Sequence, residues 1–274
     1  MRRETLLKVA MYAVLLVAAA LTAFPLLWMV SVSLMPSGAA HAVPPPLWPE
    51  APTLVHYGEL FTRLNMGRYL FNSTLIAVAV TLLSLLLNSM AGYAFAKLRF
   101  PGRDRLFRTL LAAMVVPVQV AMLPLFLLMK YLGLVNTYAG VIIPGMASIF
   151  GIFLIRQYAL SVPGSLIEAA RIDGAGEFRI YWSVVLPLLR PVLVTLALFT
   201  FMGAWNDFMW PLIVLTDHDM YTLPVALATF SREHVQDTER MMAGAVLTVL
   251  PVLVVFLALQ RYYLQGIMVG GMKG

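Results

Sequence analysis

Long apolar runs separated by shorter polar segments dominate the pattern along this chain. Six runs are long enough, or nearly so, to form helices that cross a hydrocarbon core, which takes about 20 residues. They cover residues 9–32, 70–94, 106–128, 139–155, 188–215 and 241–259. The alternation of apolar and polar residues that marks the strands of a membrane β-barrel does not occur in them. The pattern therefore predicts an all-α integral membrane protein, with six transmembrane helices in a single domain over residues 1–274.

The first run has a second interpretation, as the core of a secretory signal peptide. Basic residues precede it, and the tripeptide Ala40-His41-Ala42 resembles a cleavage site with small residues. A signal-peptide core, however, has about 7 to 15 apolar residues, and this run is longer. Its length favours a membrane anchor over a cleaved signal.

Basic residues orient the six predicted helices. If both termini lie in the cytoplasm, most of the 19 lysines and arginines fall on the cytoplasmic side. The basic residues left outside are Arg63, Arg68, Lys130, Arg232 and Arg240. The positive-inside rule predicts this asymmetry. We therefore expect a multi-pass protein of the bacterial cytoplasmic (inner) membrane with both termini inside.

Composition removes several other classes of protein. Hydrophobic residues make up 61% of the chain and charged residues 12%, so water is a poor solvent for it. The absence of cysteine and the scattered positions of the four histidines give no metal-ligating pattern. The net charge of +6 does not indicate a nucleic-acid partner, because the basic residues lie between apolar runs. The chain has no Gly-x-x-x-x-Gly-Lys-Ser/Thr loop for phosphate, so we expect it to bind no nucleotide and no other cofactor.

The segment 156–190 is the one long loop that this orientation places in the cytoplasm. It is longer than a connection between antiparallel helices requires. Pro163 favours a helix start, and Gly174, which tolerates positive φ, favours a helix stop. The small side chains of Ala169 and Ala170 let another protein approach closely. The segment therefore predicts a short helix, a turn and a second short helix that dock onto a partner, with an amphipathic hairpin on the membrane surface as the alternative.

The residues of this loop resemble the EAA motif of ABC importer permeases. The match consists of Glu168-Ala169-Ala170, Gly174 after three more residues, and Val184-Val185-Leu186-Pro187 after nine more. Valine stands at position 184 where the family usually has isoleucine. By this resemblance the loop is the coupling helix that seats in a cleft of a cytoplasmic ATPase subunit. The residues implied for ATPase docking are Glu168, Ala169, Ala170, Asp173, Gly174, Leu186 and Pro187.

Three further tracts resemble the maltose-transporter class. They are Phe71-Asn72-Ser73-Thr74, Ala204-Trp205-Asn206-Asp207-Phe208 followed by Pro211-Leu212, and the tail 270–274. The tail is similar to that of the second maltose permease subunit. This resemblance implies that Gly271, Lys273 and Gly274 contact the ATPases. A flexible glycine-rich tail is the alternative.

Polar residues inside the predicted spans are candidates for the translocation path, because they are costly in lipid. They are Thr81, Asn88, Gln119, Asn206 and Asp207. Packing between helices is the alternative role for Thr81 and Asn88, and also for the segment of Gln119 between Pro117 and Pro124. An interfacial position or a cap near Pro211 is the alternative for Asp207. Since Asp207 is the only acidic residue well inside a predicted span, the sequence shows no catalytic pair or cluster, and we do not expect an enzyme.

The resemblance implies the membrane-spanning permease subunit of an ATP-driven ABC importer for a sugar or oligosaccharide. Its expected partners are a second permease subunit, two cytoplasmic ATPase subunits that bind ATP and Mg²⁺, a periplasmic or lipid-anchored solute-binding protein, and membrane lipid. An ABC permease for a glycerol phosphate or another polar solute is the first alternative. A stand-alone carrier is the other, although internal repeats and more charges in the membrane would be expected of one.

Overall fold

The computed structural model describes residues 2–233 and 237–271, and the regular structure in these ranges is entirely helical. This confirms the all-α prediction. The α-helices are α1 (Arg2–Ser33), α2 (Val55–Arg63), α3 (Met66–Lys97), α4 (Arg103–Ala113), α5 (Val118–Tyr131), α6 (Tyr138–Gly145), α7 (Ile149–Leu160), α8 (Gly164–Ile172), α9 (Glu177–Ile180), α10 (Leu186–Leu188), α11 (Arg190–Trp205), α12 (Met209–Val214), α13 (Leu223–Glu233) and α14 (Thr238–Gly271). A π-helical turn, Tyr181–Val185, joins α9 to α10.

Four helical segments are each long and apolar enough to cross a membrane. They are Thr5–Ser33, Met66–Lys97, Tyr138–Leu160 and Thr238–Ala258. Two further segments pass the same test only as bent pairs, α4 with α5 and Glu177–Leu188 with α11. Within the described ranges the number of candidate spans is therefore four, or six when each bent pair counts as one span.

The predicted span 106–128 is interrupted. Helix α4 ends at Ala113, α5 begins at Val118, and their axes differ by 105°. Pro117 has the extended angles φ −60° and ψ 133° and precedes α5 directly. A proline has no amide hydrogen to continue the helix, and its ring drives the preceding residue out of the helical region. Hydropathy treats this run as continuous because proline interrupts the backbone without making the segment polar.

The predicted span 188–215 is also interrupted. Helix α11 ends at Trp205 and α12 begins at Met209, so Asn206 and Asp207 lie in the break between them. Pro211 accounts for the position of the break, since its ring would clash with the carbonyl of Asp207, four residues earlier, in a continuous helix. Asn206 and Asp207 therefore lie where the regular backbone hydrogen bonding of the helix is interrupted.

The described residues fall into two compact units. The first contains the residues before Arg68 together with Ala226–Pro251. In it, the buried carboxylate of Glu239 accepts a hydrogen bond from the backbone nitrogen of Ala40 at 2.9 Å. The guanidinium of Arg240 lies 2.6 Å from a carboxylate oxygen of Glu59. These contacts fasten the start of α14 to the segments that follow α1.

The second unit contains Arg68–Val225 and the residues from Val252 onward. It has two buried apolar clusters. One cluster includes Ile155, Ile167, Ile180, Val185, Leu189 and Leu196. The other includes Ile76, Val80, Met129, Val141, Trp210 and Val214.

Helices α3 and α7 approach closely at two glycines. A Cβ atom on Gly92 would lie 2.6 Å from Cγ2 of Ile155, and one on Gly151 would lie 2.5 Å from Nδ2 of Asn88. Helices in membranes commonly associate through such small residues, because lipid supplies no hydrophobic force between them. The spacing of these two helices therefore depends on the absence of two side chains.

Candidate docking loop and membrane cavity

The loop 156–190 contains the two helical segments that the sequence predicts. Helix α8 starts at Gly164, directly after Pro163, and ends at Ile172. Gly174 has φ +78°, and its backbone nitrogen donates to the carbonyl of Arg171 at 3.0 Å. This left-handed residue closes the helix, as the glycine stop predicts. A second helical segment follows from Glu177 to Leu188.

One side of α8 is held by the protein and the other is exposed. Ile167 is buried in the first apolar cluster, whereas Glu168, Ala169 and Asp173 are exposed. Ile172 is also exposed, with 87% of its surface accessible. Exposed apolar Ile172 together with the exposed acidic residues Glu168 and Asp173 gives the mixture of apolar and polar groups that is common in protein interfaces.

The second half of the EAA-like motif lies on another helix. Leu186 and Pro187 form the end of the segment Glu177–Leu188, which meets α11 at 80°. Leu186 packs partly against the first apolar cluster, and Pro187 is exposed. Both halves of the motif therefore pack against the first apolar cluster, although a turn of the chain separates them.

A charged pair fastens α8 to the next helical segment. Nε of Arg171 lies 2.7 Å from Oε1 of Glu177, and the hydroxyl of Tyr93 on α3 donates to Oε2 of Glu177 at 3.2 Å. The carboxylate of Glu177 therefore accepts hydrogen bonds from two side chains of other helices. This carboxylate is thus paired within the chain, with Arg171 of the loop and Tyr93 of α3.

Helix α3 contacts the start of the loop at a second place. Nζ of Lys97, the last residue of α3, donates to the carbonyl oxygens of Val162 at 2.6 Å and Leu160 at 3.3 Å. These two carbonyls lie at the end of α7 and in the turn before α8. Sequence reasoning missed both Tyr93 and Lys97, because their partners are distant along the chain.

A cavity of about 590 Å³ lies among α3, α5, α6, α7, α11 and α12. Most of its lining is apolar and includes three aromatic rings. The polar and aromatic lining residues are Ser84, Gln119, Ser148, Thr200, Asp207, Phe150, Phe199 and Trp210. No lysine, arginine or histidine of the described ranges lines it. The cavity therefore combines aromatic surfaces and hydrogen-bonding groups with a single negative charge.

Two of the five candidates for the translocation path line this cavity, Gln119 and Asp207. Asp207 is half-buried, and its Oδ1 accepts from the backbone nitrogen of Trp210 at 3.3 Å, so it also caps α12. The adjacent Asn206 is exposed, and its Nδ2 donates to the carbonyl of Met202 at 2.9 Å. Asp207 thus lies on the cavity wall and accepts a backbone hydrogen bond at the start of α12, while its place in a translocation path stays a prediction.

Thr81 and Asn88 are buried beside the cavity and do not line it. The hydroxyl of Thr81 donates to the carbonyl of Ala77 at 2.6 Å, within its own helix. Asn88 donates to the hydroxyl of Ser84 at 2.6 Å and accepts from the backbone nitrogen of Ser148 at 3.0 Å. Asn88 therefore holds two groups of the cavity wall in place.

Part of the C-terminal tail is outside the described residues. Gly271 is the last residue of α14, whereas Lys273 and Gly274 lie beyond the described range.

Up to six candidate spans within the described ranges, an exposed loop between two of them and a cavity among their helices are the arrangement of a membrane-spanning transport subunit. The sequence model for the inner membrane component of binding-protein-dependent transport systems matches residues 88–269. The chain belongs to this family. This confirms the predicted permease class and the predicted location as a multi-pass protein of the inner membrane.

Curated relatives match almost the whole chain. The arabinooligosaccharides transport system permease protein AraQ of Halalkalibacterium halodurans is 40% identical over 254 residues, 92% of this chain and 91% of the relative. The lactose transport system permease protein LacG of Rhizobium radiobacter is 33% identical over 271 residues, 99% and 98% of the two chains. The sn-glycerol-3-phosphate transport system permease protein UgpE of Yersinia enterocolitica is 33% identical over 225 residues, 81% and 80%.

A solved structure also matches nearly the full length. A chain of a bacterial ABC transporter involved in the import of the acidic polysaccharide alginate has a TM-score of 0.85 and 25% identity, covering 96% of this chain and 98% of that chain. The fold is thus that of an ABC importer permease.

Proposed function

We propose that this chain is the permease subunit of an ATP-driven importer for an uncharged sugar or oligosaccharide. The observation that carries this proposal is the composition of the cavity, which offers aromatic rings, hydroxyl and amide groups and one carboxylate. Apolar lining with a few placed polar groups is typical of sites for small organic solutes. Relatives named for arabinooligosaccharide and lactose transport support a sugar.

A glycerol phosphate is the second candidate solute, because one relative is named for sn-glycerol-3-phosphate transport. An anionic solute would have to lie near Asp207 without a lysine, arginine or histidine on this cavity wall. A like charge at short range in a site of low dielectric is unfavourable. The charge of the cavity therefore favours the uncharged solute.

The docking loop gives this subunit its connection to ATP. In the proposal, α8 seats on one of two cytoplasmic ATPase subunits through Ala169, Ala170 and Ile172, with Glu168 and Asp173 facing basic groups of the partner. ATP and Mg²⁺ bind those ATPases, and a second permease subunit completes the membrane part. A periplasmic or lipid-anchored solute-binding protein delivers the sugar, and membrane lipid surrounds the spans.

The proposed coupling runs from α8 to the cavity through contacts within the chain. The Arg171–Glu177 pair joins α8 to the second helical segment, and Tyr93 joins that pair to α3. Helix α3 also carries Ser84, which lines the cavity. A displacement of α8 by the ATPases would therefore reach the cavity wall along α3.

Two glycines of the loop provide a matched test. Gly174 has φ +78° and Gly176 has φ −70°, and a Cβ atom on either glycine meets nothing within 4 Å. Valine at position 174 would be strained by about 1–2 kcal/mol in the left-handed region, whereas valine at position 176 fits its extended backbone. We expect Gly174→Val to lower sugar uptake and sugar-stimulated ATP hydrolysis in the assembled, reconstituted complex, and Gly176→Val to preserve both. Intact uptake and stimulation in an assembled Gly174→Val complex would refute the coupling role of this loop.

A further inference from the structure

A pocket of about 560 Å³ at the start of α4 is lined by four arginines. They are Arg99, Arg103, Arg105 and Arg108, and the remaining charged group in the lining is Asp104. The pocket is separate from the sugar cavity, with which it shares no residue. Its net charge is strongly positive, so its natural ligand is an anion.

Two of these guanidinium groups are available to a ligand. Arg103 pairs with Asp104 at 3.0 Å and donates to the carbonyl of Leu98 at 3.2 Å, and Arg108 donates to the carbonyl of Asp104 at 3.2 Å. Arg99 and Arg105 are exposed, and their guanidinium groups make no hydrogen bond or ion pair with any described residue. Asp104 can therefore neutralise only one of the four charges.

The backbone adds to the attraction for an anion. Helix α4 begins at Arg103 after Gly102, which has φ +79° and no side-chain cap. The first amide groups of a helix carry partial positive charge and lack partners within the helix. The arginines are therefore arranged around a helix end that favours the same sign of ligand.

The depth of the pocket points to lipid. Helix α3 has 32 residues, which gives a length of about 48 Å at 1.5 Å per residue. A bilayer measures about 40–45 Å including its headgroups. Since α3 ends at Lys97, Arg99 and the start of α4 follow at headgroup depth. Exposed Phe100 and Leu106 lie beside the arginines and suit the acyl boundary better than open water.

We propose that this arginine pocket binds the phosphate of an anionic phospholipid in the leaflet that faces the cytoplasm under the predicted orientation. Arg99 and Arg105 contact the phosphate oxygens, while Arg103 and Arg108 keep the helix start in place. Phosphate is the chemistry recognised, because arginine guanidinium groups bind it with two parallel hydrogen bonds. This binding site is independent of the solute and of ATP hydrolysis.

The test uses the purified transporter complex, with lipid binding measured by native mass spectrometry. The probe is phosphatidylglycerol, and the reference is zwitterionic phosphatidylcholine, whose choline cation offsets the charge of its phosphate. The main variant is Arg99→Gln with Arg105→Gln, and Arg105→Gln alone controls for the contribution of Arg99 to a second pocket beside α8. Arg63→Gln is the matched control, as Arg63 is an exposed arginine at the end of α2 and lies on the outer side in the predicted orientation.

Phosphatidylglycerol should bind the wild-type complex more tightly than phosphatidylcholine. The double glutamine variant should lose roughly 30-fold in affinity for phosphatidylglycerol, from about 1 kcal/mol per arginine near the surface. The double lysine variant at the same positions should retain most of the affinity, and Arg63→Gln all of it. If the double glutamine variant does not assemble, Arg105→Gln alone should lose roughly fivefold in affinity for phosphatidylglycerol.

Several results would overturn the proposal. Unchanged phosphatidylglycerol affinity in the glutamine variants would exclude the pocket as the site. Full displacement of the lipid by millimolar inorganic phosphate would show a site for free phosphate instead of a lipid site. Loss of the ATPase subunits from the glutamine variants with lipid binding unchanged would assign the arginines to a protein partner.

Discussion

The hydroxyl of Tyr93 lies 3.2 Å from Oε2 of Glu177, which connects a transmembrane helix to the docking loop. The other carboxylate oxygen of Glu177 is held by Arg171 of α8 at 2.7 Å. The side chains of Tyr93 and Arg171 thus bind the carboxylate of Glu177, and the three residues belong to three helical segments. Removing the tyrosine hydroxyl leaves the ion pair intact but separates it from α3.

Tyr93→Phe should weaken the coupling between ATP hydrolysis and transport. A hydrogen bond to a charged group contributes about 1.5–3 kcal/mol, and without it the link between α8 and α3 weakens, so we expect more ATP molecules to be hydrolysed per imported sugar. The measurement compares sugar uptake with ATP hydrolysis in proteoliposomes. Tyr131→Phe is the control, because Tyr131 is 88% exposed. An unchanged ratio in Tyr93→Phe would mean that this contact does not transmit movement.

Gly151→Ala should destabilise the packing of α3 against α7. The added methyl would lie 2.5 Å from Nδ2 of Asn88, whose own hydrogen bonds to Ser84 and Ser148 resist displacement. Overpacking of this kind costs about 1–3 kcal/mol. We expect a lower temperature of thermal unfolding in detergent.

Gly203→Ala is the matched comparison for that substitution. Gly203 is also helical, but a Cβ atom there meets nothing within 4 Å. Since alanine is the better helix former by about 1 kcal/mol, the unfolding temperature should stay the same or rise. Equal destabilisation by both substitutions would contradict the tight contact at Gly151.

Asp207→Asn should separate the charge of Asp207 from its capping role. Asparagine keeps an oxygen that can accept from the backbone nitrogen of Trp210, so α12 should stay capped. Without the carboxylate, competition of sugar uptake by a phosphorylated analogue of the sugar should increase, while uptake of the uncharged sugar persists. Asp207→Ala, which loses the cap as well, should also lower stability by about 1 kcal/mol.

Competition assays with the two solutes decide this prediction. If the wild-type complex already takes up the phosphorylated analogue better than the uncharged sugar, the assignment of solute class is wrong. If Asp207→Asn leaves selectivity unchanged, the partner permease sets the charge preference.

Hydropathy was sufficient to predict the helical class and the approximate positions of the spans, because lipid requires long apolar helices. The stop at Gly174 was also predictable, since a left-handed residue strongly favours glycine. Hydropathy does not locate the helix breaks before Val118 and after Trp205, because proline changes the backbone without changing the average polarity of a segment. Their proximity to the cavity follows only from the fold.

Lateral contacts between distant residues could not be predicted from the sequence. Tyr93 and Glu177 are 84 positions apart, and neither residue type indicates the other. The sequence marks Asn88 as a polar residue of α3, but it does not show that this side chain turns toward α7 instead of the cavity. Phe150 and Phe199 give no signal at all, since aromatic residues are ordinary in apolar spans.

The continuity of α3 has a mechanical consequence. Tyr93, which meets the docking loop, and Ser84, on the cavity wall, are about 13 Å apart along this uninterrupted helix. An α-helix is stiff over such a distance, so a push at one residue is not absorbed before it reaches the other. In the proposed coupling, a movement of the loop 156–190 would therefore reach the cavity wall along α3 without contact between the loop and the solute.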